Sequence, residues 1–233
     1  MITIDFYGLA PVTSARRFFP PRCACLRLRA LLFAIAAIAL MLTRLTPVTA
    51  QADTGNSPMA VTQTMVDRAL QIIANKKAPP QQRRRQLREV VENEFDFTEM
   101  SRSALGYHWR SLSPDQRSQF TQLFSAFIED AYLSKIQDYS GQQVQFQGQT
   151  RLGQGYTQIN TAIIQPGKNP IAVNYLLLQK GDTWKIYDVT VEAISIIANY
   201  RNQFNRVINE KGINQLMADL RAKQQELASL LGS

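Results

Sequence analysis

The chain has 233 residues, 45% of them apolar and 19% charged, with 10 Pro and 11 Gly; this composition excludes a wholly disordered or collagen-like chain and fits one domain or at most two small ones. Its formal charge of +8 is concentrated at the start: residues 1–52 hold six basic residues and one acid, leaving 20 basic and 17 acidic over residues 53–233. That near balance argues against a dedicated nucleic-acid binder.

From the N-terminus, RCACLRLR (22–29) precedes an apolar run, ALLFAIAAIALML (30–42), that Arg44 closes. Thirteen residues are too few for a typical membrane span of about 20. A basic segment, a short apolar run and the small-residue sites Val48-Thr49-Ala50 and Ala50-Gln51-Ala52 read as a cleavable export signal over residues 1–52. Cleavage is expected after Ala52, with Ala50 as the second choice. The pair Arg16-Arg17 only weakly matches a twin-arginine signal, so general secretion is the expected route, to the periplasm in a bacterium. Cys23 and Cys25 both precede the apolar run, and His108 is the only histidine. Residues 53–233 therefore offer no disulfide, no thiol nucleophile and too few ligands for a structural zinc site.

Residues 53–57 form a short polar tail before a single domain over 58–231. Ser57 and Pro58 predict the start of a helix to about 76, with an apolar stripe of Val61, Met65, Val66, Ile72 and Ile73. Pro79-Pro80 breaks it. A helix over about 81–93 follows, and its Arg83, Arg84, Arg85 and Arg88 read first as a solvated face. Asp96 or Thr98 caps a short helix that Gly106 ends. Ser113 and Pro114 start a long helix to about 139, with Phe120, Leu123, Phe124, Phe127, Ile128, Ala131 and Tyr132 on one face. The period then changes to alternation, predicting strands at 143–150, 156–165, 171–180 and 184–192, joined by short turns into an antiparallel meander. Helix returns over 194–231, divided at Gly212. The fold class expected is α+β: a four-stranded curved antiparallel sheet packed with helices from both ends of the chain.

Taken together, FDFTEMSRSALGYHWRSLSPDQRSQF (95–120), YSGQ (139–142), VNYLLLQKGDTWKIYDVTVEAISIIANYRNQF (173–204) and the closing helix with Gly212-Ile213 resemble the MlaC family. The resemblance is most specific at Trp184–Val189 followed by Asn199–Phe204. The family comprises periplasmic phospholipid-binding proteins of the maintenance-of-lipid-asymmetry system, also called toluene-tolerance proteins. The resemblance implies a shuttle between an outer-membrane lipoprotein/porin complex and an inner-membrane ABC transporter complex. It also implies a cone-like fold enclosing an apolar cavity, with phospholipid as cargo and no cofactor.

The residues fit a carrier without chemistry. No Gly-x-Ser-x-Gly elbow or phosphate-cradling loop is present, and His108 has no second histidine; it reads as a structural or surface residue, and no catalytic or metal residue is assigned. Asp188 and Glu192 read as a solvated strand face. The large apolar side chains are Phe120, Phe124, Phe127 and Tyr132 on the long helix, with Tyr107 and Trp109 before it. Val173, Tyr175 and Leu177 share one strand face, and Tyr187, Val189 and Val191 another, with Trp184 and Ile186 opposite them unless a bulge intervenes. Ile194, Ile197, Tyr200 and Phe204 follow. By themselves they fit a plain core or a cavity; with the resemblance they become candidate lipid-binding residues as a set. Two alternatives of other kinds stay open, a small enzyme with a titratable pocket and a structural adaptor with a filled core.

Overall fold

The computed structural model describes residues 56–136 and 141–232. The expected export signal and the last residues of the long helix, to 139, lie outside them.

Local capping chemistry sets the helices. Helix α1 (Pro58–Ala74) begins at Ser57, whose hydroxyl accepts the Ala60 N–H at 3.1 Å. Helix α2 (Pro80–Glu94) follows the proline pair. Asp96, not Thr98, caps α3 (Phe97–Leu105): its carboxylate accepts the Glu99 N–H at 3.0 Å. Gly106, at φ +57, ends that helix and opens a 3-10 turn, Gly106–Ser111. At α4 (Pro114–Ile136) the Ser113 hydroxyl accepts the Gln116 N–H at 3.2 Å, and Gln116 Oε1 accepts the Ser113 N–H at 3.0 Å, a reciprocal cap.

The strands β1 (Gln143–Gly153), β2 (Tyr156–Ile164), β3 (Ile171–Lys180) and β4 (Thr183–Val191) pair antiparallel in chain order. A fifth strand corrects the expected four: β5 (Ile194–Ser195) folds back on β4, pairing Thr190 with Ser195 and Val191 with Ile194. Helices α5 (Ile196–Lys211) and α6 (Ile213–Gly232) follow, parted at Gly212, φ +81.

Register fixes which side chains share a face. Ile159 pairs with Tyr175 and Tyr175 with Val189, while Leu177 meets Ile186. Between them Leu176 meets Asp188, so Tyr187 is one residue too many on β4. This bulge brings Ile186 to the same face as Val189. That face packs on α1 and α2 through Met65, Val66, Val90, Ile159, Leu177 and Ile186, with Trp184 and Val189 against them. Tyr187 is displaced from the face expected for it: its ring lies edge-on to Tyr156, centroids 5.8 Å apart. Tyr156 stands on the opposite side of the pleat from Ile159.

A second core joins α4, α5 and α6. Phe124 meets Phe204 at 5.4 Å and Phe127 meets Tyr200 at 5.5 Å, both edge-on, and Phe120 meets Phe204 likewise at 5.9 Å. Leu216 and Leu220 of α6 are fully buried as well.

Candidate functional site

The stripe Met65, Val66, Ala69, Leu70 and Ile73 puts one continuous face of α1 over the sheet. Leu87, Val90 and Val91 of α2 stand beside it. Opposite are Val144 of β1, Ile163 of β2, and Ile171 and Tyr175 of β3, with Phe95 and Tyr132 closing the sides. These residues leave a cavity of about 480 Å³. Its remaining polar lining side chains are Gln142 and Gln165, at the end of the sheet where Ile171 is 40% exposed. Among the described residues no charged side chain lines it.

The two tyrosines keep the cavity neutral. Burial pushes the Tyr175 hydroxyl up to about 12. Tyr175 keeps some exposed surface by area and lines the cavity. Burial also raises Tyr132, outweighing the opposing effect of its hydrogen bond to Tyr200. An ordinary tyrosine is already protonated at physiological pH, and burial moves both hydroxyls further from ionisation.

Of the candidate residues read from the sequence, Tyr132 and Tyr175 line this cavity. Leu177 and Val189 pack in the cluster beside it. Val173 is buried, paired with Thr161 and Val191. Phe120, Phe124, Phe127, Tyr200 and Phe204 fill the second core. Ile197 is buried and donates its N–H to Asp188, and Ile194 is 37% exposed on β5. Tyr187 lies beside Tyr156, away from the cavity. Tyr107 is 66% exposed and donates its O–H to Asn209 at 3.1 Å; Trp109 lies under the Arg117 guanidinium, 5.5 Å from the ring centroid. The cavity residues missed in sequence are those of α1 and α2, together with Phe95, Gln142, Val144, Ile163, Gln165 and Ile171. The α1 stripe was legible as apolar, and Leu87, Val90 and Val91 keep helical spacing, but arginines surround them.

The polar groups elsewhere have structural explanations. His108 Nε2 lies 2.8 Å from Asn205 Oδ1, a side-chain hydrogen bond. Asp188 is not solvated as expected: it is buried and accepts the Val189 N–H at 2.8 Å, the Ile197 N–H at 3.2 Å and the Ser195 hydroxyl. Burial raises its carboxyl above the ordinary range despite those bonds and the Arg201 charge. It thereby anchors the start of α5. A polar groove of about 600 Å³ lies between α2, α4 and α6. In it Arg88 Nε stands 2.8 Å from Glu129 and Arg88 Nη2 donates to Asp130 at 2.6 Å. Burial pushes Glu129 up to about 7; the Arg88 charge opposes this and Glu92 adds to it. Among the described residues, no group of three His, Cys, Asp or Glu side chains is placed to hold a metal ion, and no helix is long and apolar enough to cross a membrane.

Comparison with known proteins gives a consistent relationship. The family described as MlaC protein matches residues 63–222. The intermembrane phospholipid transport system binding protein MlaC of Haemophilus influenzae is 28% identical over 191 residues, 78% of this chain and 87% of that protein. The fold matches the phospholipid-binding protein of Ralstonia solanacearum, solved in complex with a phospholipid, with TM-score 0.65 at 24% identity over 72% of this chain and 97% of that one. With the family match spanning α1 to α6, the chain belongs to the MlaC family.

Proposed function

We propose that this chain is exported to the periplasm after loss of residues 1–52 and carries phospholipid there as a non-enzymatic shuttle. In this reading the sheet curves around α1 and α2, and acyl chains occupy the space bounded by Met65, Val66, Ile73, Val90, Val144 and Tyr175. The observation that carries the reading is the uncharged apolar cavity of about 480 Å³ in a chain of this family. Its donors and acceptors are an inner-membrane ABC transporter complex and an outer-membrane lipoprotein/porin complex, as family membership implies.

The physics needs no catalysis. Each buried methylene is worth about 0.8 kcal/mol, so some thirty methylenes make a free phospholipid cost on the order of 20 kcal/mol in water. An apolar cavity offers nearly what the bilayer offers, so transfer is close to isoenergetic and a partner sets its direction. Burying an unpaired phosphate is far more costly. The headgroup therefore stays at the open end, near Gln142 and Gln165, in contact with water.

Native mass spectrometry and lipid extraction of the purified mature protein test this. Co-purifying phospholipid is expected, at a stoichiometry that detergent washing removes and vesicles restore. Protein that is folded, lipid-free and unable to acquire lipid from vesicles would sink the carrier reading.

A further inference from the structure

The end of α3, the 3-10 turn after it and one face of α5 enclose a groove of about 390 Å³ that shares no residue with the cavity. It belongs to the other side of the sheet. Leu176 and Asp188 pair on the sheet face turned away from Tyr175, and Asp188 accepts the Ile197 N–H at 3.2 Å, which anchors α5 on that face.

Residues one turn apart on α5 clasp the segment that ends α3. Arg201 Nε donates to the Ser103 carbonyl at 2.5 Å, Asn205 Oδ1 lies 2.8 Å from His108 Nε2, and Asn209 accepts the Tyr107 O–H at 3.1 Å. Positions 201, 205 and 209 share one helix face. The Arg201 side chain lies over Gly106, its Cδ 3.7 Å from where a Cβ would stand. These contacts orient the guanidinium before anything binds, so binding costs it little further side-chain entropy.

The groove is one-sided in charge. Arg102, Arg110 and Arg201 line it, and among the described residues no acidic side chain does. Arg102 is already matched, with Nε and Nη2 donating to Glu99 at 2.7 and 2.5 Å. The buried Asp188 carboxylate acts on Arg201 through its charge, while its bonds go to Val189, Ser195 and Ile197. The Nη groups of Arg201 and the guanidinium of Arg110 have no hydrogen-bond partner among the described residues. Two open guanidinium forks in one concave space suit carboxylates, which each fork can hold through two bonds.

The surroundings suit a protein rather than a bilayer. Tyr107, 66% exposed, and Trp109 stand in the same groove, and Tyr, Trp and Arg are the residues enriched where proteins dock. A bilayer held here would lie against the sheet face turned away from the cavity, and the near balance of charge over residues 53–233 gives it little general attraction.

We propose that this groove docks an acidic segment of a protein partner, with carboxylates seated on Arg110 and Arg201 and Tyr107 packed beside them. The inference rests on the carrier reading for the partners to try, the inner-membrane and outer-membrane complexes, and adds the surface that meets one of them.

The test is binding of the full mature protein to each purified complex in phosphatidylcholine nanodiscs, followed by biolayer interferometry at low and physiological salt. Arg110→Glu with Arg201→Glu is expected to weaken binding to at least one complex about tenfold or more, mainly by slowing association. Arg206→Glu, the same charge change elsewhere on α5, is expected to stay within about twofold of wild type. Bound phospholipid, measured on the same samples, is expected to be unchanged. If the double variant does not fold, Arg110→Glu alone carries the test, because it breaks no side-chain bond. Unchanged binding to both complexes, or an equal loss in Arg206→Glu, overturns the inference. So does a double variant that loses binding only to phosphatidylglycerol vesicles, which would make the groove a headgroup site. A wild type that loads lipid yet binds neither complex overturns it too. A wild type that docks through these arginines but never takes up phospholipid supports the groove and overturns the carrier reading instead.

Discussion

Phe124 has no exposed surface and meets Tyr200 and Phe204 edge-on at 5.8 and 5.4 Å. Tyr175 is partly buried, yet its side chain borders open volume, and burial pushes its hydroxyl up to about 12. Composition and spacing describe these two aromatics alike; only the partner across from each separates core from cavity wall. Substitutions should separate them too. Phe124→Ala removes ring contacts in a filled core and is expected to cost about 3–5 kcal/mol, with lipid loading retained where the protein folds. Ala69 faces the cavity from α1. Ala69→Trp is expected to place the indole in that volume at a cost well below the roughly 1–3 kcal/mol of overpacking, while loading falls several-fold. Urea midpoint and bound lipid, measured on the same samples, check both. Normal loading in Ala69→Trp alongside a large loss of stability would mean that this space is not where cargo sits. Val173 is buried between the lining residues Ile171 and Tyr175 on one face of β3, and Val173→Trp is expected to cost about 1–3 kcal/mol as an overpacked case.

The elements differ in how plainly their residues announced them. Ser57-Pro58, Asp96 and Ser113-Pro114 start helices because their side chains satisfy the first free N–H groups, a local effect visible in any window of four residues. Strand β5 was not legible, because its turn lacks the usual chemistry. Glu192 and Ala193 both hold positive φ, 50 and 65, where Gly or Asn is the ordinary choice. Tertiary bonds hold Glu192 there: its Oε1 accepts the Ala172 N–H at 2.6 Å, and its N–H donates to the Ala172 carbonyl at 2.9 Å. The bulge at Tyr187 was an open alternative that the sequence could not decide, since one inserted residue leaves the alternation on either side intact. A left-handed conformation costs a non-glycine residue about 1–2 kcal/mol. Ala193→Gly removes that strain and returns part of the gain as unfolded-state entropy, so a net stabilisation of about 0.5–1 kcal/mol is expected. A rise in urea midpoint without a change in slope would show it; a fall would mean that the Ala193 methyl contributes contacts that outweigh the strain.

At the scale of the whole molecule, the order of elements and the α+β class were legible, because capping and periodicity are local. The partition into two cores was not, because it depends on which helix face meets which partner. The aromatic face of α4 meets α5 through Phe120, Phe124 and Phe127, and of that face Tyr132 alone reaches the cavity. The cavity instead falls under α1 and under an α2 whose visible character is its arginines. This division has a consequence for dynamics. Residues bordering an empty volume lack contact partners on that side, so the elements they belong to open at lower free energy. Cargo supplies the missing contacts and stabilises the bound state by mass action. Removing lipid is therefore expected to speed amide hydrogen exchange in α1 and α2 by about tenfold or more, while α4 and α5, locked by rings that touch no cargo, keep their protection. Exchange followed by mass spectrometry on loaded and delipidated protein measures this segment by segment. A uniform change across all helices would mean that the two cores open together, and an unchanged α1 and α2 would mean that the cargo contacts neither.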